Sequence, residues 1–293
     1  MAIKPFYIER LLDIKCMYSF FLRYFEKGYV FKGEVHNFWE CMYVRSGEIL
    51  ASADNRVYNL TAGDIIFHKP MEFHKFSVES CEGAEILVFT YECEDEFAYK
   101  MKNKVFSLNE ASKSIVDALY NYAYNEYIKY FPNVPKTAYN DMLSVSSFDN
   151  KFLPRVETYI CQLIYSLADS KSKNDTVVGT DSLIFSNAVS LMKQNINKDF
   201  SVKELSKELN VSESTLKRVF QKYADAGIHK YFLMLKIRTA TKFLEEGMGV
   251  GEVSDKLGFT SPAYFSSCFK RVTGMKPSEI SKNALKAFGS FIS

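Results

Sequence analysis

The stretch from Gly258 to Pro277, GFTSPAYFSSCFKRVTGMKP, constrains the fold of this chain more than any other. Ser261 has the side chain of a helix N-cap, Pro262 suits the first helical position, and Gly274 is typical of a helix end. Apolar side chains recur between them at helical spacing, and Lys270-Arg271 bring positive charge to the end. A short helix, a tight turn and a second helix with a polar outer face are predicted. This pattern is typical of a helix-turn-helix, but also of a plain helical hairpin whose charges serve solubility.

The same layout occurs once more upstream, between residues 200 and 223. There Asn210-Val211 form a predicted turn between two short helices, and Ser212 is the N-cap of the second. The inner face of that helix carries Leu216, Val219, Phe220 and Tyr223. A longer amphipathic stretch from Ile228 to Glu246 joins the two units. Such a duplication favours DNA binding, because few purely structural reasons account for it.

The paired units resemble the DNA-binding domain of AraC/XylS-type bacterial transcription regulators over the run from Ser201 to Ile280. The matching residues are Leu205, Ser212, Leu216, Phe220, Gly227, Tyr231, Ala240, Leu244, Val253, Gly258-Phe259, Tyr264-Phe265, Phe269-Lys270, Gly274 and Pro277-Ser278. Lys236 stands where the family usually has arginine, and Ser206 and Ser254 replace small alanines. None of these departures removes a feature that the fold needs. The resemblance implies two recognition helices in successive major grooves, about one helical turn apart.

Charge divides unevenly along the chain, whose 293 residues predict two domains rather than one. From Ser182 onward there are 17 Lys/Arg and 10 Asp/Glu, a net charge of +7. The remainder has 20 Lys/Arg and 25 Asp/Glu, a net charge of −5. A basic C-terminal part favours a partner made of phosphates, because lysine and arginine release the counterions condensed on a nucleic-acid backbone.

The predicted DNA contacts lie on the outer faces of the two recognition helices. They are Ser212, Ser214, Lys217, Arg218, Gln221, Ser261, Ala263, Ser266, Ser267, Lys270 and Arg271. Arg218 is the strongest candidate for reading a base, because its guanidinium can bind guanine O6 and N7 together. Ala263 and Ser267 offer only a methyl group and a hydroxyl group. We therefore expect the first recognition helix to carry most of the specificity, and the second mostly to position the protein.

The N-terminal part has a different pattern, in which short strands are separated by turns from Gly33 to about Tyr91. Residues 53–55 form a predicted hairpin tip, and no helix interrupts the strands. This part resembles a cupin barrel, similar to the effector domain that often precedes this DNA-binding module. The predicted fold class is α+β and multidomain: an N-terminal cupin-like β-barrel with flanking helices, and a C-terminal all-α domain with two helix-turn-helix units.

The resemblance to cupins also implies a set of site residues. The metal ligands of cupin enzymes fall on Glu34, His36, Glu40 and His74, although the first histidine of that set is missing here. Alternation predicts that residues 34, 36, 38, 40 and 42 share the strand face that lines the lumen, with Trp39 on the opposite face. The predicted effector contacts are His36, Phe38, Glu40, Met42 and His74. Metal binding is the less favoured alternative, plain structural roles are another, and no cofactor is expected.

Two apolar helical stripes follow the barrel. They serve either as a dimer contact, as the family resemblance suggests, or to cover the protein's own sheet. The predicted organisation is an effector-sensing barrel with its N-terminal arm (1–100), a helical subdomain with a dimerisation role (101–169), a linker (170–181) and the DNA-binding domain (182–293). The sequence shows no membrane-spanning run, no signal peptide and no cysteine spacing typical of a metal site, so a cytoplasmic protein without a membrane partner is expected.

Together these features predict a transcription regulator that binds specific DNA and responds to a small-molecule effector. It is not expected to be an enzyme. The expected partners are double-stranded DNA, the effector, a second copy in a homodimer and, if the protein is an activator, RNA polymerase. Two alternatives stay open: a metal-dependent cupin enzyme fused to a DNA-binding domain, and an effector-independent regulator whose barrel serves only for dimerisation.

Overall fold

The computed structural model describes residues 6–7, 9–133, 143, 150–173, 179–198 and 201–280. Its N-terminal half is built from two antiparallel sheets packed face to face, and its C-terminal half is helical. The predicted fold class, a cupin-like barrel followed by a helical domain, is therefore confirmed. Within the described ranges, no helix has the length and apolar character needed to cross a membrane.

Nine strands form the two sheets in the part of the chain described above: β1 (Cys16–Phe25), β2 (Val30–Glu34), β3 (Trp39–Ser46), β4 (Glu48–Ala53), β5 (Arg56–Thr61), β6 (Asp64–His68), β7 (His74–Val78), β8 (Ala84–Glu92) and β9 (Val105–Ser107). The five-stranded sheet has the order β1-β8-β3-β6-β9, and the four-stranded sheet has the order β2-β7-β4-β5. Apolar side chains from both sheets fill the space between them, Met42, Ile49, Ile66 and Phe76 among them.

The prediction of one continuous strand face over residues 34–42 is wrong. Strand β2 ends at Glu34 and β3 begins at Trp39, so His36 and Phe38 lie in the connection between two strands of different sheets. The chain crosses from one sheet to the other there, and it cannot keep a period of two across such a connection. Within β3 the alternation holds. Trp39 is fully buried on the face opposite to Glu40, and its indole donates a hydrogen bond to the carbonyl oxygen of Cys93 at 3.1 Å.

The outer face of the five-stranded sheet is covered by α1 (Glu110–Tyr127) and α2 (Phe152–Ala168). Trp39, Phe89 and Tyr91 of the sheet belong to the same buried cluster as Leu119 and Ile160 of the helices. The apolar stripes of both helices are thus buried against the protein's own sheet. This covering role was one of the two roles predicted for them, the other being a dimer contact.

The C-terminal domain has six α-helices in the described residues: α3 (Thr180–Gln194), α4 (Val202–Glu208), α5 (Glu213–Ala224), α6 (Ile228–Glu245), α7 (Val250–Lys256) and α8 (Pro262–Thr273). Helices α4 and α5 form one helix-turn-helix unit, α7 and α8 form the other, and α6 connects them. Helix α3 begins two residues before the predicted start of the domain, and residues 174–178 of the predicted linker lie outside the described residues.

The turn between α7 and α8 requires glycine. Gly258 has φ +66°, and a Cβ atom there would lie 1.9 Å from the carbonyl oxygen of Asn197. The predicted caps are also present: Ser212 and Ser261 accept hydrogen bonds from the backbone N–H groups of Thr215 and Tyr264. These local signals fix where each recognition helix begins, and hence which residues stand at its exposed end.

Candidate DNA-binding surface and polar site of the barrel

Helix α5 separates an apolar inner face from a polar outer face. Leu216, Val219 and Phe220 are completely buried, in the same cluster as Phe185 of α3. The predicted contact residues Ser212, Ser214, Lys217, Arg218 and Gln221 are all exposed. The structure therefore places these five residues at the start and on the outer face of one helix, where a major groove could accept them.

Arg218 is already held by another residue in the absence of DNA. Its guanidinium donates two hydrogen bonds to the carboxylate of Asp181 on α3, with N–O distances of 2.6 and 2.7 Å. The hydrogen bond from Arg218 also lowers the pKa of Asp181. The side chain of Arg218 is nevertheless 58% exposed. The pair uses the Nη1–Nη2 edge of the guanidinium, so Arg218 must leave Asp181 before that same edge can bind a guanine.

Other outward side chains of α5 have weaker internal partners. The Lys217 ammonium lies 3.8 Å from a carboxylate oxygen of Glu213, one turn earlier. The Gln221 amide donates to the carboxylate of Asp225, which follows the helix in a left-handed conformation. An exposed pair such as Lys217 and Glu213 adds little stability, so its lysine is easily recruited by phosphate.

Helix α8 presents a smaller chemical range. Phe265, Cys268 and Phe269 are buried, whereas Ala263, Ser267, Lys270 and Arg271 are exposed and Ser266 is half-buried. Ser261 uses its hydroxyl group as the N-cap. Tyr264 on the same helix is 52% exposed, and the sequence had not singled it out as a contact. The two cations lie in the last turn of α8, which suits contacts with phosphate more than contacts with bases.

The barrel brings its predicted polar residues together at the end where β2 finishes and β3 and β7 begin. Glu34, His36, Glu40 and His74 each offer one ligand atom, and these atoms all lie within 4.8 Å of one another. Nε2 of His36 is 3.5 Å from a Glu40 oxygen and 4.0 Å from Glu34. Nε2 of His74 is 3.3 Å from Glu40 and 3.6 Å from Glu34. The convergence follows from the meeting of three strand ends.

Backbone carbonyl groups orient both imidazole rings. Nδ1 of His36 lies 3.0 Å from the carbonyl oxygen of Phe38, and Nδ1 of His74 lies 3.1 Å from that of Glu72. Both rings are almost completely buried. Burial opposes charge on His74 and on Glu40, yet their mutual attraction raises the pKa of His74 and lowers the pKa of Glu40. The site therefore places the carboxylates of Glu34 and Glu40 around the Nε2 atoms of the two histidines.

The other predicted effector contacts lie beside this group or beneath it. The Phe38 ring stacks on His36 with ring centres 3.9 Å apart, and on Tyr18 at 4.1 Å. Met42 is 1% exposed and belongs to the apolar packing between the sheets. Met42 thus contributes packing below the polar group in this structure, whereas Phe38 forms one wall of it.

Two further residues of the site were missed at the sequence level. His68, at the end of β6, stacks on His74 with ring centres 4.3 Å apart, and its Nδ1 lies 3.1 Å from a Glu72 oxygen. Both residues are buried. The spacing of four residues between His68 and Glu72 is no signal by itself, because only the turn after β6 brings them together. Three of the four histidines of the chain thus meet at one end of the barrel.

The outer face of the four-stranded sheet packs against the C-terminal domain. Val57 and Phe73 of the barrel share a buried cluster with Phe185 and Tyr231. The ring of Phe73 meets that of Tyr231 edge to face, with centres 5.8 Å apart. Ser52 of β4 donates a hydrogen bond to the carbonyl oxygen of Tyr223 at 2.8 Å. The barrel therefore contacts both α6 and the end of the first recognition helix.

Asp54 is the charged centre of this domain contact, and the sequence indicated it only as part of a hairpin tip. Its carboxylate lies 2.6 Å from Arg238 of α6, 3.3 Å from Lys193 of α3 and 3.6 Å from Lys69. Burial alone would raise the pKa of Asp54, but the three cations lower it. A cleft of about 890 Å³ opens beside this contact between the domains, with Phe38, Met71 and Arg238 in its walls.

Comparison with known proteins matches both halves of the chain. Residues 20–100 match the family model of an AraC-like ligand binding domain, and residues 205–283 match that of a helix-turn-helix domain. The chain is 32% identical over 102 residues to the HTH-type transcriptional regulator GbdR of Pseudomonas aeruginosa. The aligned residues make up 34% of this chain and 28% of GbdR. The chain thus spans less than a third of the length of that relative.

A second relative is matched over nearly its whole length. The chain is 22% identical over 267 residues to the HTH-type transcriptional activator RhaR of Enterobacter sp. strain 638, with 88% of this chain and 89% of RhaR covered. Among solved structures, fatty-acid-bound ToxT from Vibrio cholerae is 14% identical, with 91% of this chain and 95% of ToxT covered at a TM-score of 0.37.

Proposed function

The chain is an AraC/XylS-type transcription regulator, and from this premise we propose that it binds specific DNA sequences and changes that binding when its barrel takes up an effector. The observation that carries the proposal is the pair of capped helices α5 and α8, whose buried inner faces leave polar outer faces exposed on a basic domain. A pair of such helices can enter two successive major grooves on one face of the duplex.

The two helices differ in the chemistry that they offer to DNA. Arg218 and Gln221 on α5 have side chains suited to guanine and adenine edges, so we assign base reading to this helix. Lys270 and Arg271 lie in the last turn of α8, far from its N-terminal end, so we assign them to phosphate. Ala263 and Ser267 add a methyl contact and one hydroxyl group.

The barrel is proposed as the effector domain, with its polar group of His36, Glu40 and His74 as the ligand contacts and Phe38 beside them. Support comes from the convergence of these side chains at one end of the barrel. A route to the DNA-binding domain exists on the same sheet, where Phe73 precedes His74 and packs against Tyr231. We further propose that the barrel senses and does not catalyse, since GbdR and RhaR are both named as transcription regulators.

The remaining partners follow from the family. We propose that the protein acts in the cytoplasm as a homodimer, and that it contacts RNA polymerase if it activates transcription. The relative RhaR is named as a transcriptional activator. The apolar stripes of α1 and α2 are buried on the barrel, so a dimer would use other surfaces of these helices. Leu153 and Tyr165 of α2 remain exposed and are candidates for that contact.

A genome-wide map of bound sites, followed by titration of the full chain against the recovered operator, tests this proposal. Specific binding that is lost in Arg218→Ala, in a protein that stays folded, is expected. Equal affinity for the operator and for unrelated DNA at physiological salt would contradict the assignment of a sequence-specific regulator.

A further inference from the structure

We infer that Glu34, His36, Glu40 and His74 bind a divalent transition-metal ion, and that this ion is the effector of the barrel. The first half of the inference depends on the geometry of the four side chains alone. The second half rests on the proposed function, because it requires a protein whose DNA binding responds to an effector.

The tautomers of the two histidines follow from their backbone partners. A carbonyl oxygen only accepts hydrogen bonds, so Nδ1 of His36 and Nδ1 of His74 must each carry the proton that they donate to Phe38 and Glu72. Where a ring carries no second proton, its Nε2 has a lone pair. Donation of the other ring N–H to a carbonyl group is the arrangement by which proteins hold metal-binding histidines in place.

Nε2 of both rings faces further acceptors. Nε2 of each ring is directed at the carboxylates of Glu34 and Glu40, and it makes no hydrogen bond to any residue that the structure describes. Two acceptors repel each other unless a proton or a cation lies between them. Groups that are buried to this extent are normally satisfied, so a missing positive charge is indicated.

The distances distinguish a metal ion from protons. An imidazolium bound to a carboxylate would have N–O distances of about 2.7–2.9 Å. The observed separations are 3.3, 3.5, 3.6 and 4.0 Å. Ligands at about 2.1 Å from one ion lie about 3.0 Å apart at right angles and about 3.4 Å apart at tetrahedral angles. The cluster thus has nearly the dimensions of a coordination shell, and small movements of Glu34 would complete it.

The kind of donor identifies the class of ion. Two imidazole nitrogens with two carboxylates suit manganese, iron, cobalt, nickel or zinc, whereas magnesium and calcium prefer oxygen donors alone. Two carboxylates and two neutral rings have a net charge of −2, which a divalent ion balances. The side chain of Glu34 is 32% exposed, while those of the other three ligands are at most 9% exposed. Glu34 therefore marks the side from which the ion enters.

The metal ligand His74 is connected to the domain contact through its neighbour Phe73. The Phe73 N–H donates to Asp54 Oδ1 at 3.2 Å, and the Asp54 N–H donates to the Phe73 carbonyl oxygen at 2.7 Å. Asp54 in turn holds Arg238. An ion that fixes His74 therefore fixes the backbone on which Asp54 depends. Coupled sites typically change each other's affinity by about 5- to 150-fold, and we expect a change in this range for operator DNA.

The test uses the full chain, freed of any affinity tag and treated with a chelator. Calorimetric titration with Mn²⁺, Co²⁺, Ni²⁺ and Zn²⁺ should show one ion per chain for at least one metal, and bound Co²⁺ should give the visible absorption of a site with nitrogen and oxygen ligands. Glu34→Gln and Glu40→Gln keep the shape of the side chain and should lower the affinity at least about 100-fold. His229→Gln is the matched control, because His229 is exposed and lies apart from the three histidines at the end of the barrel.

Two results would overturn the metal site: no stoichiometric ion in the folded wild-type chain, or wild-type affinity in both glutamine variants. The regulatory half is tested separately, by titration of operator DNA with and without the bound metal. A tight ion that leaves the affinity for operator DNA unchanged would refute the effector role while the site stands. Failure to bind any operator, with the metal site intact, would instead refute the proposed function.

Discussion

Asp54 at the tip of the β4–β5 hairpin and Arg238 of α6 form an ion pair of 2.6 Å that joins the barrel to the DNA-binding domain. Asp54 has φ +51°, a conformation that Asp and Asn tolerate better than most residues. Both side chains are mostly buried, and Lys193 adds a second cation at 3.3 Å. The contact is thus more than a surface pairing, because the buried guanidinium of Arg238 would lack its carboxylate partner without Asp54.

Asp54→Asn tests this contact, because asparagine keeps the shape and the left-handed backbone but removes the charge. We expect the variant to be less stable by about 3–5 kcal/mol in urea titration, since Arg238 then lacks its carboxylate. Asn55→Ala, at the neighbouring position of the same tip, is the control and should change stability much less, because its amide makes only a 3.4 Å contact with Ser190. Equal losses in the two variants would show that the tip acts through its shape alone.

Asp181→Asn tests whether Arg218 is restrained before it meets DNA. Release of the two hydrogen bonds should raise the affinity for operator DNA by up to about 5-fold, because an exposed pair has only modest strength. Glu213→Gln removes the same charge from the neighbourhood of Lys217 and serves as the control for general electrostatics. The measurement is a fluorescence anisotropy titration with operator and with unrelated DNA. An equal gain on both DNAs in both variants would attribute the effect to charge alone.

The helical domain could be predicted from the sequence because its signals are local. Ser212, Ser261 and Gly274 each act on their own helix end, and each stands where it was expected. The barrel site was predicted less completely. Glu34, His36, Glu40 and His74 do converge, but His36 lies between two strands and not on one strand face.

What the sequence could not indicate are contacts between residues that are far apart in the chain. Asp54 and Arg238 are separated by 184 positions, and Arg218 and Asp181 by 37. No periodicity connects such positions. His68 and Glu72 were missed for a related reason, since only the conformation of the turn after β6 brings two residues at a spacing of four into contact. Long-range pairing is a property of the packed fold.

The division of labour between α5 and α8 leads to a prediction on specificity. Arg218→Ala should reduce discrimination at one or two base pairs by about 5- to 150-fold, because a bidentate base contact is lost. Lys270→Ala and Arg271→Ala should weaken binding to every sequence and lower the salt slope by about one unit each. The measurement is titration against a panel of single-base operator variants at several salt concentrations. A sharper loss of base preference in Lys270→Ala than in Arg218→Ala would reverse the assignment.

Substitutions of buried core residues and of exposed contact residues should also differ in their effect on the stability of the protein. Phe220 and Phe269 are completely buried, so Phe220→Ala and Phe269→Ala should each lower the free energy of unfolding by about 3–5 kcal/mol. Arg218→Ala should leave the melting temperature nearly unchanged, because its side chain lies on the outer face of α5. The measurement is thermal and urea unfolding of the three variants in parallel. A drop in Arg218→Ala as large as that in Phe220→Ala would mean that the faces of α5 are assigned wrongly.

The turn of the second unit offers a test that depends on a single Cβ atom. In Gly258→Ala, the new methyl group would stand 1.9 Å from the Asn197 carbonyl oxygen, at a φ that L-residues rarely adopt. We expect a loss of about 2 kcal/mol or more, together with weaker DNA binding, because α8 would be displaced from its position beside α7. Gly251→Ala is the matched control: it lies in α7, and a Cβ atom there meets no atom within 4 Å. That variant should be as stable as the parent, or more stable by about 0.5 kcal/mol, since alanine favours the helix. The measurements are urea unfolding and operator binding of both variants and the parent, carried out in parallel. If Gly258→Ala unfolds at the same urea concentration as Gly251→Ala, the close approach of Asn197 to this turn does not hold the second unit in place.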